Sequence, residues 1–91
     1  MTHTYVVECY WPGVNELQLT EAVERIPPDD DASWMNSILI PADEIVLCLV
    51  EATSADAVSA SARRAGLPAE RIVTCVQVGT HVQARERKER R

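Results

Sequence analysis

Large aromatic side chains are scarce in this 91-residue chain, which has no phenylalanine and only two tyrosines and two tryptophans. We therefore expect a core of aliphatic side chains. No apolar run approaches the roughly 18 to 20 residues of a membrane-spanning helix. The N-terminus also lacks the basic region and apolar stretch of a signal peptide. The sequence predicts a cytoplasmic protein with no membrane contact.

Motifs of familiar enzymes and nucleotide-binding proteins are missing as well. The three glycines, Gly13, Gly66 and Gly79, stand singly, which excludes a glycine-rich phosphate loop. Neither an HExxH nor a GxSxG motif occurs. No aromatic platform lies within a basic stretch, as an RNA-recognition sheet requires. Whether the chain is an enzyme stays open at this point.

Cysteine is present in an odd number, as Cys9, Cys48 and Cys75, without any CxxC spacing. This pattern argues against a disulfide framework and against a zinc ribbon. Each cysteine falls in a segment with strand character, where a reduced thiol packs as a small hydrophobic group.

The net charge of -5 is unevenly distributed along the chain. Residues 80–91 contain five Arg or Lys and two Glu, a balance of +3, so residues 1–79 carry -8. An acidic body repels phosphate backbones, which argues against a nucleic-acid partner. We predict one domain over residues 1–79, followed by a basic, flexible C-terminal tail over residues 80–91.

Apolar periodicity and turn residues divide the domain into six elements. The predicted strands are residues 4–10, 33–40, 45–50 and 72–76; the helices begin at the caps Asn15 and Ser54 and end before Pro27 and Gly66. Pro41-Ala42-Asp43 is short enough to join the second and third strands as a hairpin. The order is that of a ferredoxin-like βαββαβ sandwich, an α+β fold with two helices on one face of a four-stranded antiparallel sheet.

In the third and fourth strands, both sets of alternating positions are apolar, which is typical of strands buried on both faces. Helices in such a sandwich cover only one face. In so short a chain, a second copy is the simplest cover for the other face, so we expect a homodimer.

Several segments resemble a known family. They are Tyr5-Val6-Val7-Glu8 with Pro12-Gly13, Trp34-Met35-Asn36-Ser37, residues 47–52, and residues 62–72 with Arg63-Arg64-Ala65-Gly66. Together they are similar to the family of small actinobacterial ferredoxin-like domains of unknown function that includes a nickel-binding protein. The resemblance implies a ferredoxin-like dimer, with divalent metal binding in part of the family.

One departure from that family bears on metal chemistry. Its members commonly carry a histidine in the second helix where this chain has Ser61. Nickel prefers imidazole nitrogen to a hydroxyl group. The resemblance therefore implies a ligand position at Ser61 and nickel binding that is weak.

Two carboxylates adjoin apolar strands, Glu8 in the first and Glu51 at the end of the third. In a shared cleft their pKa values would rise and they could act as catalytic acid and base; the alternative is that each reaches the rim of the sheet. Ser37 and Cys48 are candidate ligand-binding residues for the same cleft. Cys48 has no histidine base evident in the sequence, which argues against a nucleophilic role.

His3 and His81 are the only imidazoles, one before the first strand and one after the last. If those strands are neighbours, the two could share a divalent metal with a further ligand such as Glu8 or Cys75; the alternative is that both are solvated.

Three hypotheses follow for function. The leading one is a small homodimeric ligand-binding or accessory domain with weak nickel binding. The alternative is a small dimeric enzyme, such as an isomerase, a cyclase or a monooxygenase-like catalyst, that uses a carboxylate in the cleft between sheet and helices. The third is an interaction domain whose basic tail recruits an acidic partner.

Overall fold

The computed structural model describes residues 1–79, which form one layer of sheet and one layer of helices. Its elements are β1 (His3–Tyr10), α1 (Glu16–Glu24), β2 (Ala32–Ile40), β3 (Ile45–Ala52), α2 (Ala55–Ala65) and β4 (Ala69–Thr74). The predicted βαββαβ order is confirmed. The proposed basic tail, residues 80–91, lies outside the described residues. Within residues 1–79 no helix has the length and apolarity to cross a membrane.

The sheet has the strand order β2-β3-β1-β4, and each neighbouring pair is antiparallel. This is the arrangement of a ferredoxin-like sandwich. The central strands β1 and β3 pair along their whole length, from His3 opposite Ala52 to Tyr10 opposite Ile45. They therefore carry most of the core.

The core lies between the inner face of the sheet and the two helices, and it is mainly aliphatic as expected. Its main buried side chains are Tyr5, Val7 and Cys9 from β1, Val46, Cys48, Val50 and Ala52 from β3, Leu19 and Ala22 from α1, and Val58 and Ala62 from α2. Valine is the largest residue type among the side chains that are fully buried. The small residues of α2 allow that helix to approach the sheet closely.

Both helices begin at their predicted caps, and α2 ends before Gly66 as predicted, whereas α1 ends at Glu24, earlier than the predicted end before Pro27. Asn15 Oδ1 accepts from the Gln18 amide at 2.8 Å, and Gln18 Oε1 accepts from the Asn15 amide at 3.0 Å, forming a capping box. At the start of α2, Ser54 Oγ accepts from the Ala57 amide at 3.1 Å. Gly66, at φ 73°, ends α2 in the left-handed conformation that favours glycine.

The predicted hairpin between β2 and β3 is confirmed, with a short 3-10 turn at Pro41–Asp43. Glu44 follows this turn with a positive φ of 57°, which is unusual for a residue other than glycine. Its carbonyl accepts from the Trp11 amide at 2.8 Å, and its carboxylate accepts from the Gly13 amide at 2.9 Å. Glu44 thereby connects the hairpin to the turn that leads into α1.

Strand β2 contains a β-bulge at Met35. Trp34 lies opposite Val50, and Asn36 lies opposite Leu49, the next residue of β3. The extra residue shifts the alternation of side chains by one position. As a result, Trp34 and Ser37, which a regular strand would direct to opposite faces, both lie on the helix side of the sheet.

Strand β4 runs over Ala69–Thr74, whereas the sequence predicts residues 72–76. The earlier start and end of β4 arise from its pairing with β1. The chain after Pro68 already pairs with β1 through a bulge near Cys9, and the ladder ends as β1 begins, with the Cys75 amide donating to the Thr4 carbonyl at 2.9 Å. Beyond it, Val76 and Val78 are exposed.

The outer face of the sheet is apolar but not covered by residues 1–79. Val6, Leu47, Leu49 and Val73 are half-buried there, and Ile38 is 53% exposed. The two-sided apolar character that the sequence predicts is thus present in the fold. Dimerisation through this face stays a prediction.

A candidate ligand-binding cleft

A cleft of about 730 Å³ lies between α1 and β2. Its apolar lining comes from Leu19 and Val23 of α1 and from Trp34, Met35 and Leu39 of β2. Its polar lining consists of Glu16, Thr20, Glu24, Asn36 and Ser37. This volume, and the mixture of an apolar surface with a few polar groups, are typical of sites for small molecules.

The indole of Trp34 forms one wall of the cleft, and a hydrogen bond to a residue of α2 holds it in place. Its Nε1 donates a hydrogen bond to Ser61 Oγ at 2.8 Å, and Ser61 is fully buried. This bond satisfies both polar groups and fixes the ring orientation. Ser61, a predicted ligand position, thus reaches the cleft through Trp34 and does not line it.

The structure brings together two of the predicted ligand-binding residues, Ser37 and Cys48. Ser37 Oγ donates to Cys48 Sγ at 3.3 Å. Ser37 lines the cleft, while Cys48 is fully buried on the neighbouring strand. The Cys48 sulfur therefore lies directly behind the wall of the cleft.

A second thiol, Cys9, lies on the neighbouring strand β1 opposite Val46, and the side chains of Cys9 and Cys48 are both fully buried. The interaction with Cys9, supported by the hydrogen bond from Ser37, lowers the pKa of Cys48 to about 7, although burial acts in the opposite direction. The same interaction, together with burial, raises the pKa of Cys9. Of the two thiols, Cys48 therefore ionises first.

The predicted catalytic pair, Glu8 and Glu51, lies on the other side of the sheet. Both residues alternate along their strands with buried neighbours and therefore face outward. Glu8 Oε1 lies 3.7 Å from Arg71 Nη1, and Glu51 is exposed. Strand parity separates them from Ser37 and Cys48, so the four residues do not share a cleft.

The carboxylates that do line the cleft are Glu16 and Glu24 of α1, which sequence reasoning missed. A signal for them exists, because residues that flank the buried stripe of a helix border any gap beside it. Glu16 precedes the buried Leu19 by three residues, and Glu24 follows the half-buried Val23.

A metal site is not assembled by the described part of the chain. Within residues 1–79 no three His, Cys, Asp or Glu side chains lie close enough together to hold an ion. His3 is exposed at the start of β1, beside the point where the chain leaves β4, as the two-histidine hypothesis requires. Its proposed partner His81 lies outside the described residues.

A family model described as nickel responsive protein SCO4226-like matches residues 5–75. The chain belongs to this family. The predicted resemblance to small actinobacterial ferredoxin-like domains is thereby confirmed.

Among solved structures, the SCO4226-like chain is similar to the crystal structure of SCO4226 from Streptomyces coelicolor A3(2). The two share 24% sequence identity with a TM-score of 0.74, over 84% of this chain and 99% of that chain. The similarity supports the ferredoxin-like fold. No match was found among curated proteins.

The nickel response in the family's name is not matched by a nickel ligand set within residues 1–79. The position that the family resemblance assigned to a ligand is Ser61, whose hydroxyl accepts from Trp34. The cleft between α1 and β2 is a candidate site that does not depend on a metal ligand set.

Proposed function

We propose that this SCO4226-like protein is a ligand-binding domain whose cleft between α1 and β2 accepts a small organic cation with an apolar body. The observation that carries the proposal is the composition of the cleft. Two carboxylates border an apolar surface, and no Arg, Lys or His lies among the lining residues. Such a site favours a positive charge and an apolar group in one molecule.

We infer that different residues of the cleft bind different parts of the ligand. Glu16 and Glu24, at the two ends of α1, attract the cationic group, and the -8 charge of residues 1–79 adds to this attraction. The indole of Trp34, already fixed by Ser61, offers a face for the cation or for an apolar ring. The hydroxyl groups of Thr20 and Ser37, which also line the cleft, provide acceptors for an ammonium N–H.

Three probes of similar size and different charge test the proposal by calorimetry: 2-phenylethylamine, 2-phenylethanol and 3-phenylpropanoate. We expect the amine to bind most tightly, the alcohol less tightly, and the carboxylate not at all. Equal affinities for the amine and the carboxylate would contradict the proposal, because charge would then play no part.

A matched pair of variants tests whether the cleft carboxylates, and not only the net charge of the protein, determine the affinity for the amine. Glu24→Gln removes a cleft carboxylate, while Glu21→Gln makes the same change on the same helix outside the cleft. We expect Glu24→Gln to weaken 2-phenylethylamine binding about two- to fivefold, the size typical of an exposed ion pair. Glu21→Gln should leave the affinity unchanged, and an equal loss in both variants would show that only net charge matters.

The family name indicates a response to nickel, whereas residues 1–79 do not contain a set of nickel ligands. Residues 1–79 bring no three suitable donors together, so a nickel site would need groups from residues 80–91 or from a second copy. We predict weak Ni²⁺ binding that His3→Ala reduces further. Calorimetry with Ni²⁺ measures it, and tight stoichiometric binding unaffected by His3→Ala would contradict the prediction.

We propose further that two copies associate through the outer face of the sheet. Leu47 and Leu49 lie near its middle, and Glu8 and Arg71 compensate each other's charge beside them. Two copies of an otherwise acidic body can therefore meet on this face with less repulsion than elsewhere.

A further inference from the structure

The two carboxylates that line the cleft come from opposite ends of α1. Glu16 is the first residue of the helix and Glu24 is the last. Their separation along the chain corresponds to about 12 Å along the helix axis. Side chains of a helix tilt in the same direction, so the two carboxylates keep roughly this spacing. A single ammonium group, whose hydrogen bonds are about 3 Å long, does not bridge it.

The surface between the two carboxylates is mainly apolar. Leu19 and Val23 of α1 lie between them in the sequence and line the cleft, and Trp34 and Leu39 of β2 line its opposite side. A chain of methylene groups can therefore run from one carboxylate to the other in contact with apolar side chains.

Neither carboxylate of the cleft forms a salt bridge within residues 1–79. The salt bridges of the described residues join Arg64 to Asp29 and Arg71 to Glu8. The cleft therefore presents two negative charges that its own side chains leave uncompensated, and a ligand with one ammonium group would balance only one of them.

The cleft continues past Trp34 into a smaller cavity of about 250 Å³, which also contacts Val23. The carboxylate that lines this cavity is Asp29, and it is already paired with Arg64. Its charge is compensated, so the extension favours an apolar group. The remaining position for a second cation is Glu16, at the other end of the cleft.

The two ends of α1 differ in their attraction for a cation. At Glu24, the negative pole of the helix dipole adds to the carboxylate charge, and the last turn contains no basic residue. Arg25, which caps this end, is exposed and does not line the cleft. At Glu16, the positive pole offsets part of the carboxylate charge. A ligand with a single ammonium group should therefore place it at Glu24.

We propose that the cleft binds a linear aliphatic diamine or polyamine, with one ammonium group at Glu24, a second at Glu16 and the methylene chain on the apolar surface between them. This inference rests on the proposed cation-binding function and specifies its ligand class. With ordinary bond lengths and angles, an extended chain of eight methylenes places its terminal nitrogens about 11 Å apart, close to the spacing of the carboxylates. A four-carbon diamine spans about half that distance and reaches only one of them.

Calorimetry on the full chain with two pairs of probes tests the second ammonium site. The pairs are 1,8-diaminooctane with 8-amino-1-octanol and 1,4-diaminobutane with 4-amino-1-butanol, so that each alcohol replaces one ammonium group by a hydroxyl. We expect the eight-carbon diamine to bind about three- to tenfold more tightly than its amino alcohol, from two equivalent ends and one added ion pair. The four-carbon pair should differ only about twofold, from the equivalent ends. Equal gains at both lengths would overturn the proposal, because they would reflect net charge alone.

A pair of variants on α1 then places the second ammonium group. Glu16→Gln should reduce the eight-carbon gain to about twofold and leave the affinity for 8-amino-1-octanol nearly unchanged. Glu21→Gln, on the same helix outside the cleft, should keep the full gain. Circular dichroism checks that both variants keep their helices. An undiminished gain in folded Glu16→Gln would refute the site, and the probe series on wild type decides without any variant.

A neutral probe, 1,8-octanediol, separates this inference from the proposed function. If 8-amino-1-octanol binds more tightly than the diol while the diamine gains no more than about twofold, the cleft binds single cations and only the second ammonium site is refuted. If the amino alcohol and the diol bind equally, cation binding in the cleft fails, and the diamine proposal fails with it.

Discussion

Ser61 is the buried polar side chain of the core in residues 1–79, and its effect is transmitted to the cleft through Trp34. Its hydroxyl accepts from the indole, and no buried side-chain polar atom of the described residues lacks a partner. The sequence indicates Ser61 as a small residue on the inner stripe of α2. It does not reveal the partner, because that depends on where β2 places Trp34.

We predict that Ser61→Ala lowers the free energy of unfolding by about 1–2 kcal/mol, because the indole N–H loses its acceptor. Urea denaturation measures the change. Ser59→Ala, on the same helix but only partly buried, is the control and should cost less. In the Trp34→Phe background, Ser61→Ala should cost clearly less than in wild type; an equal cost would show that the hydrogen bond is not the cause.

At the level of elements, α1 and β2 shape the cleft, and they differ in how far the sequence predicts them. The start of α1 follows from Asn15, whereas its end at Glu24 comes earlier than the prolines predict. The bulge in β2 could not be predicted, because Trp34-Met35-Asn36-Ser37 does not show which residue is the extra one. Since the bulge decides that Trp34 and Ser37 share a face, strand parity alone cannot locate the wall of the cleft.

Loss of the capping box should loosen α1 and with it the cleft. We predict that Asn15→Ala destabilises the protein by about 1 kcal/mol and weakens binding of 2-phenylethylamine. Thermal melts and calorimetry test both effects. Asn15→Ser keeps a side-chain acceptor and should restore most of the stability; if it behaves like alanine, the cap does not support α1.

For the whole molecule, the main feature is a sheet that is apolar on both faces while helices cover only one. The sequence predicts this from the two parities of β3, where Val46, Cys48 and Val50 are buried and Leu47 and Leu49 face outward. Four strands of this length present roughly 500 Å². Stable interfaces bury about 800 Å² per partner. The exposed Val76 and Val78 offer further apolar surface for such an interface.

We predict that the wild-type chain is a dimer at low micromolar concentration and that Leu47→Glu makes it monomeric. The new charge would lie unpaired in the middle of the interface, which costs several kcal/mol. Light scattering coupled to size-exclusion chromatography measures the molar mass of the wild type and of each variant in solution. Leu17→Glu, on an exposed position of α1, should remain dimeric; a monomeric wild type would rule out the assembly.

The bond from Trp34 to Ser61 also gives the protein an internal spectroscopic reporter. An indole N–H that donates to a fully buried hydroxyl is shielded from solvent, so its proton should exchange slowly and give a distinct nuclear magnetic resonance signal. With only two tryptophans in the chain, that signal can be assigned from a single substitution. Molecules entering the cleft beside the ring would shift it, and occupancy could be followed without any label.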